Sequence, residues 1–128
     1  MEGKVFVYAR SDSSRLPGKA FLTLGNDCLI DVVMRRASCF GFGKAVLLTT
    51  SRSVDNELTD YVEKRGYPVV RGDHFDLVKR TVLAIKQTSA DFFFRVNGDS
   101  PFVDFELGRI ASKHAGKFSL VTNLIKRT

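Results

Sequence analysis

Tryptophan is absent from the 128 residues, and cysteine and histidine occur only twice each. Cys28 and Cys39 lie eleven positions apart, in or beside one predicted helix. That spacing suits neither a C-x-x-C redox pair nor a zinc knuckle, so they read as two reduced thiols of a cytosolic protein. His74 and His114 have no cysteine cluster around them, which removes the usual zinc donor sets. No Ser-His-Asp set stands in a motif that would make it a triad. No apolar run approaches the ~20 residues of a membrane span, and Met1-Glu2-Gly3-Lys4 opens no apolar signal segment. Internal repeats, low-complexity tracts and linkers are also missing. The expectation is one cytoplasmic domain over residues 1–128, large enough to bury a real core.

What is present is ordinary in bulk and skewed in detail. The hydrophobic fraction is 44% and the charged fraction 27%, as in soluble globular proteins. Most of the eleven Phe sit in apolar runs and read as core. The net charge of +6 fits simple solubility, or an anionic ligand such as a nucleotide or nucleic acid. The Phe runs are not interleaved with basic residues in the way that stacks bases, so no specific nucleic-acid partner is expected. Residual binding to nucleic acid would be the nonspecific, salt-sensitive term.

Periodicity predicts alternating strands and helices. Lys4–Ala9 is a buried strand, and Arg10–Lys19 a loop. Ala20–Leu24 is a short extended piece closed by a turn at Gly25-Asn26-Asp27, where Asp27 is placed to cap a helix. In that helix Leu29, Ile30, Val33, Met34 and Ala37 face inward, and it ends near Phe40-Gly41. Ala45–Thr50 is a second strand. A helix from Asp55 to Arg65 follows, with Leu58, Tyr61 and Val62 inward and Gly66 as its stop. Val69-Val70 is a third strand. Asp76–Thr88 is a helix with Leu77, Val78, Val82, Leu83 and Ile85 inward. Asp91–Val96 is a Phe-rich fourth strand, expected to be central. Asp104 caps a helix to about Ala115, with Leu107, Ile110 and Ala111 inward and His114 in its last turn. Phe118–Leu124 is a last strand. Apolar strands alternating with amphipathic helices predict an α/β fold, a mostly parallel sheet in a Rossmann-like three-layer α/β/α sandwich. Ligands in such sheets bind beyond the carboxyl ends of the strands. Those ends carry the loops Arg10–Lys19, Ser51–Val54, Arg71–Asp76 and Asn97–Pro101.

The Arg10–Lys19 loop gathers Arg10, Arg15 and Lys19 around Ser13 and a Pro17-Gly18 pair, which suits an anion with several phosphates. It is not a P-loop, because Ser13 stands where the first Gly belongs and Ala20 replaces the magnesium-binding hydroxyl. It carries no G-x-G-x-x-G. A bare exposed basic loop is the alternative reading. Asp99, in the loop after the fourth strand, puts a carboxylate at the same edge, where it suits magnesium or serves simply as a turn residue after Gly98. His74 falls in the loop after the third strand and reads best as a polar residue at a helix start.

Ala9-Arg10, Ser13 and Arg15-Leu16-Pro17-Gly18-Lys19 together resemble the N-terminal signature of sugar cytidylyltransferases, which make CMP-activated acidic sugars. Thr49-Thr50, Arg71-Gly72 and Arg95-Val96-Asn97-Gly98-Asp99-Ser100-Pro101 resemble further elements of the branch named for spore-coat polysaccharide biosynthesis. The resemblance runs from about Lys4 to Leu124. It implies the glycosyltransferase-A-like nucleotidyltransferase fold and transfer of CMP from CTP to a sugar with release of pyrophosphate, in surface-polysaccharide precursor synthesis. It implies that Arg10, Arg15 and Lys19 hold the triphosphate within a nucleotide-binding set of Ala9, Arg10, Ser13, Arg15, Gly18, Lys19, Arg71 and Arg80. Backbone N–H groups between Ser11 and Ser14 would assist. Arg10, Lys19 and Asp99 become the candidate catalytic groups, with Asp99 on Mg2+. Arg80 has an alternative partner in Asp76 at i, i+4.

Ser11-Asp12 and Ser51 depart from the residues usual in relatives, and Asp12 beside a triphosphate needs metal, an Arg or an outward turn. Members of the family are longer, with later segments for the acceptor sugar and dimerisation. This chain is therefore expected to match their nucleotide-binding half and to have a tendency to form a homodimer. A non-catalytic nucleotide- or partner-binding domain is the alternative function.

Overall fold

A computed structural model describes residues 1–12, 18–102 and 104–121. The main sheet has four parallel strands: β1 (Gly3–Tyr8), β4 (Val46–Thr50), β5 (Val69–Gly72) and β6 (Phe92–Asn97), in the order β5-β4-β1-β6. A two-stranded hairpin, β2 (Thr23–Leu24) and β3 (Asp27–Cys28), leads into α1 (Leu29–Ala37). The other α-helices among the described residues are α2 (Asn56–Lys64), α3 (Leu77–Thr88) and α4 (Phe105–Ser112).

Strand side chains alternate between two cores, as the pleat requires. Val5, Val7, Leu47 and Val96 point to the face covered by α1 and α2, meeting Ile30, Val33, Met34, Leu58 and Val62. Phe6, Val46, Leu48 and Val70 point to the opposite face, onto Ala84 of α3. Both faces of the sheet are thus covered, which gives the three layers expected and explains strands that are apolar at nearly every position. Each fully buried Val, Leu or Ile contributes roughly 1.5–3 kcal/mol of burial free energy.

Several expectations are corrected. The Phe-rich fourth strand is not central: among the described residues β6 pairs only with β1, and β1 holds the middle between β4 and β6. Its Phe rings do core work from the edge, Phe93 stacking on Phe6 at 4.9 Å and Phe94 meeting Phe40 and Phe42. Leu83 and Ile85 of α3 pack against the core as expected, but Val78 and Val82 are exposed, and the most buried positions are Arg80 and Ala84. A charged residue on the buried stripe is what an apolar-only reading skips. Leu107 and Ile110 of α4 are likewise exposed, because the helix docks through Gly108, where a Cβ would stand 2.3 Å from the Phe40 ring. A contact made by a missing side chain leaves no apolar period.

Asp27 does not cap α1. It pairs with Arg35 at 3.0 Å, while Cys28 takes the cap position and its N–H donates to Asp31. His114 lies beyond α4 rather than in its last turn. The last strand does not form over 118–121, which holds one isolated bridge and is exposed; residues 122–124 lie outside the described residues. Gly116, at φ 84°, turns the chain there instead. Among the described residues no helix is long and apolar enough to cross a membrane.

The two-layer core makes a sharp contrast. Leu47→Ala, at a wholly buried site, should lower unfolding free energy in urea by roughly 2–5 kcal/mol. Val78→Ser, at an exposed site, should change it by less than about 0.5 kcal/mol. Equal losses would contradict the placement of α3.

Candidate functional site

Parallel pairing puts all four carboxyl ends on one edge. The register aligns Tyr8 with Leu48 and with Asn97, and Thr50 with Gly72. Backbone bonds extend the alignment past the strands: Ala9 N–H donates to the Leu48 carbonyl, Gly98 N–H to Tyr8 and Ser51 N–H to Gly72. The loops after β1 and β6 therefore meet directly. Gly98 is what lets them touch, since a Cβ there would lie 2.6 Å from Ala9 Cβ and 2.8 Å from the Tyr8 carbonyl. Asp99 is carried over the end of β1 by this close approach.

An open cavity of about 250 Å³ results, lined by Tyr8, Ala9, Arg10, Lys19, Asn97 and Asp99 among others. Lys19 Nζ and Asp99 Oδ2 are 2.8 Å apart across it, both side chains partly exposed. The Lys19 hydrogen bond holds the Asp99 carboxyl below the usual carboxylate range. Of the residues expected at a site, Ala9, Arg10, Lys19 and Asp99 thus come together, and Gly18 stands beside them in a left-handed conformation at φ 75°. Ser13 and Arg15 lie outside the described residues.

Arg71 and Arg80 do not line this cavity. The Arg71 guanidinium donates to the carbonyls of Thr50 (2.9 Å) and Arg52 (2.8 Å). Arg80 is buried and donates to the carbonyls of Asp73 (3.0 Å) and His74 (3.3 Å) rather than pairing with Asp76. Asp76 caps α3 through the Lys79 N–H. Burial, and then the nearby Arg10 charge, lower the Arg80 pKa. The two arginines brace the loops while their positive charge remains at the same edge. His74 leans on Phe75, ring centroids 4.3 Å apart.

Asp12 has met an arginine. Arg52 donates to both its oxygens, at 2.7 and 2.8 Å. This hydrogen bonding, assisted by the Arg52 charge, brings the Asp12 pKa down to about 2. A carboxylate so engaged is a neutralised part of the frame, not a bare repulsive charge beside an anion site.

Sequence reasoning missed Asp55, which read as an ordinary helix start. It is wholly buried, with Oδ1 accepting from the Ser11 N–H at 2.7 Å and Oδ2 from the Thr50 hydroxyl. Arg52 Nη2 stands 3.6 Å from it. The available signal was Thr50 at the end of a buried strand: a buried hydroxyl needs a partner, and Asp55 follows five residues later.

A second open cavity, about 350 Å³, lies between the β2–β3 hairpin, α1 and α2 and is lined by Asp27, Asp31, Arg35, Tyr61 and Arg65 among others. Its charged groups are matched internally: Arg35 with Asp27, and Arg65 and Tyr61 with Asp31. Among the described residues no three of His, Cys, Asp and Glu gather as a metal site. Among the described residues that line the first cavity, Asp99 supplies the carboxylate. That suits a cation such as Mg2+, which takes one or two carboxylates and completes its shell with phosphate and water oxygens.

The family model described as cytidylyltransferase matches residues 5–122. The spore coat polysaccharide biosynthesis protein SpsF of Bacillus subtilis is 33% identical over 106 residues, covering 79% of this chain and 44% of that protein. An 8-amino-3,8-dideoxy-manno-octulosonate cytidylyltransferase of Shewanella woodyi is 26% identical, covering 95% of this chain and 52% of that protein. Among solved structures, a cytidylyltransferase from Leptospira borgpetersenii superposes with a TM-score of 0.83 at 30% identity, over 88% of this chain and 48% of that one. The chain spans about half the length of the curated relatives it matches.

The Asp12–Arg52 pair sets a pH dependence. A carboxyl group with a depressed folded pKa stabilises the fold above its unfolded pKa, about 3.9, and the contribution is lost as pH falls through the folded value. In an NMR pH titration the Asp12 carboxyl should show a midpoint of about 2. In Arg52→Met it should move up towards about 3.9. An unchanged midpoint in the variant would contradict the pairing.

Proposed function

The chain belongs to the cytidylyltransferase family, and from that premise we propose that it binds CTP at the carboxyl edge of its sheet for transfer of CMP to a sugar with release of pyrophosphate. The observation that carries the proposal is the Lys19–Asp99 pair at 2.8 Å in a cavity also lined by Arg10. Two cations and a carboxylate lining one cavity match what a triphosphate with a divalent cation requires.

In this reading Arg10 and Lys19 hold triphosphate oxygens, with Arg15 and Ser13 of the same loop. Lys19 exchanges its partner Asp99 for phosphate when the nucleotide arrives. Asp99 is thereby freed to hold Mg2+, which would neutralise charge on the triphosphate and on the departing pyrophosphate. The Ala9 and Gly18 backbone borders the phosphates. Arg71 and Arg80 serve the nucleotide indirectly, by bracing the surrounding loops. A sugar oxygen attacks the α-phosphorus, and the protein's share is positioning and charge neutralisation rather than covalent chemistry. An acidic sugar destined for a surface polysaccharide is the substrate class suggested by the names of the relatives. Residues 1–128 are proposed to be the nucleotide-binding part, acting in the cytoplasm, with sugar contacts contributed from outside it.

Calorimetric titration with CTP, with and without Mg2+, tests the site. Lys19→Ala should weaken CTP binding roughly 10- to 100-fold, the value of one or two hydrogen bonds to a charged group. Asp99→Asn should abolish the gain from Mg2+ while leaving metal-free binding within about threefold. Absence of CTP binding, or unchanged binding in both variants, would refute the assignment. Pyrophosphate release with a panel of acidic sugars tests turnover separately.

A further inference from the structure

We infer that Asp55 is a positioning residue for the nucleotide loop: through Ser11, it holds the base from which Arg10 and Lys19 reach the anion. The inference rests on the proposed CTP site for its functional arm and on geometry alone for its structural arm.

Ser11 is the point where the two ends of the loop meet. Its N–H donates to Asp55 Oδ1 at 2.7 Å, and its carbonyl accepts from the Gly18 N–H at 3.0 Å. Arg10 precedes Ser11 directly and Lys19 follows Gly18 directly, so both proposed phosphate contacts hang from this one junction. Asp55 is in turn immobile. It is wholly buried and begins α2 at the end of a short 3-10 turn, Ser53–Asp55. Its second oxygen is engaged by Thr50 at the carboxyl end of β4. Thr50 Oγ1 also accepts from Arg52 Nε at 3.2 Å, and Arg52 reaches across to Asp12, next to Ser11. Arg71 ties β5 to the same turn through the Thr50 and Arg52 carbonyls.

A helix-start acid has no need of this arrangement. A cap faces the N–H groups of its own helix, whereas no side-chain cap bond to α2 is made by Asp55. Its carboxylate points away from the helix it begins, to a backbone N–H 44 positions earlier. Both oxygens are used on the strand-edge loops, and the nearest cation is the one that also clamps Asp12.

Amide hydrogen exchange by NMR and CTP titration on the same variants test this at a temperature where all are folded. Asp55→Ala removes both acceptors, and Asp55→Asn keeps a carbonyl oxygen able to receive the Ser11 N–H. In Asp55→Ala the Ser11 and Gly18 amides should exchange at least about tenfold faster than in wild type, while β1 and β4 amides such as those of Val7 and Leu47 keep their rates. CTP affinity should fall about tenfold in parallel, and Asp55→Asn should stay within about threefold of wild type in both readouts. Wild-type exchange at Ser11 and Gly18 in Asp55→Ala, or equal acceleration at Leu47, would overturn the inference. So would an Asn variant as impaired as the Ala variant. If wild type binds no CTP, the proposed function fails, while the exchange pattern still decides whether Asp55 holds the loop.

Discussion

A carboxylate with no exposed surface is tolerable only if its oxygens are fully engaged. Asp55 meets that condition by drawing on parts of the chain that share no secondary structure: a backbone N–H after β1 and a hydroxyl at the end of β4, with a guanidinium close by. The burial cost of one charge thereby becomes a geometric constraint on two loops, and Arg71 extends it to a third. Hydrophobic burial on both faces of the sheet sets the strands side by side. The polar knot at their carboxyl ends sets where the loops go afterwards. The first force is indifferent to direction, and the second is not.

Electrostatics at the edge is arranged in two tiers. Arg52, Arg71 and Arg80 are committed to carboxylate or carbonyl oxygens of the frame, and Asp12 is matched by Arg52. Lys19 and Asp99 instead face each other across an open cavity, partly solvated and held by one contact. An exposed pair of this kind is worth little by itself, so exchanging it for phosphate and cation contacts costs little. The proposed exchange therefore asks only the loose tier to rearrange.

Fold class was legible in the sequence because two periods were clear: short apolar runs, and amphipathic stretches such as Leu29–Ala37. Strand order was not, since β1 and β6 are both apolar and only pairing tells the middle from the edge. Parts of the inward faces of α3 and α4 escaped because one includes Arg80 and the other turns on the bare backbone of Gly108. That Arg10, Lys19 and Asp99 come together at one cavity was readable because each lies in a loop after a predicted strand, where parallel topology collects its loops. Asp55 was not, because its partner Ser11 is far away in sequence and reached through a backbone group that any residue carries. Arg71 and Arg80, charged and near strand ends, read as ligand contacts, and nothing in the sequence signals that each also donates to two backbone carbonyls.

The bond from the Gly18 N–H to the Ser11 carbonyl also bears on how this protein can vary. It closes the chain into a lariat whose two ends are fixed independently of what lies between them. Lengthening a closed excursion adds only slowly to its ordering entropy, about 0.6 kcal/mol per doubling. Substitutions or insertions between the two anchor points can therefore accumulate at little cost while Arg10 and Lys19 keep their attachment to the scaffold. Change between the two anchor points is in that sense decoupled from the stability of the sheet beneath.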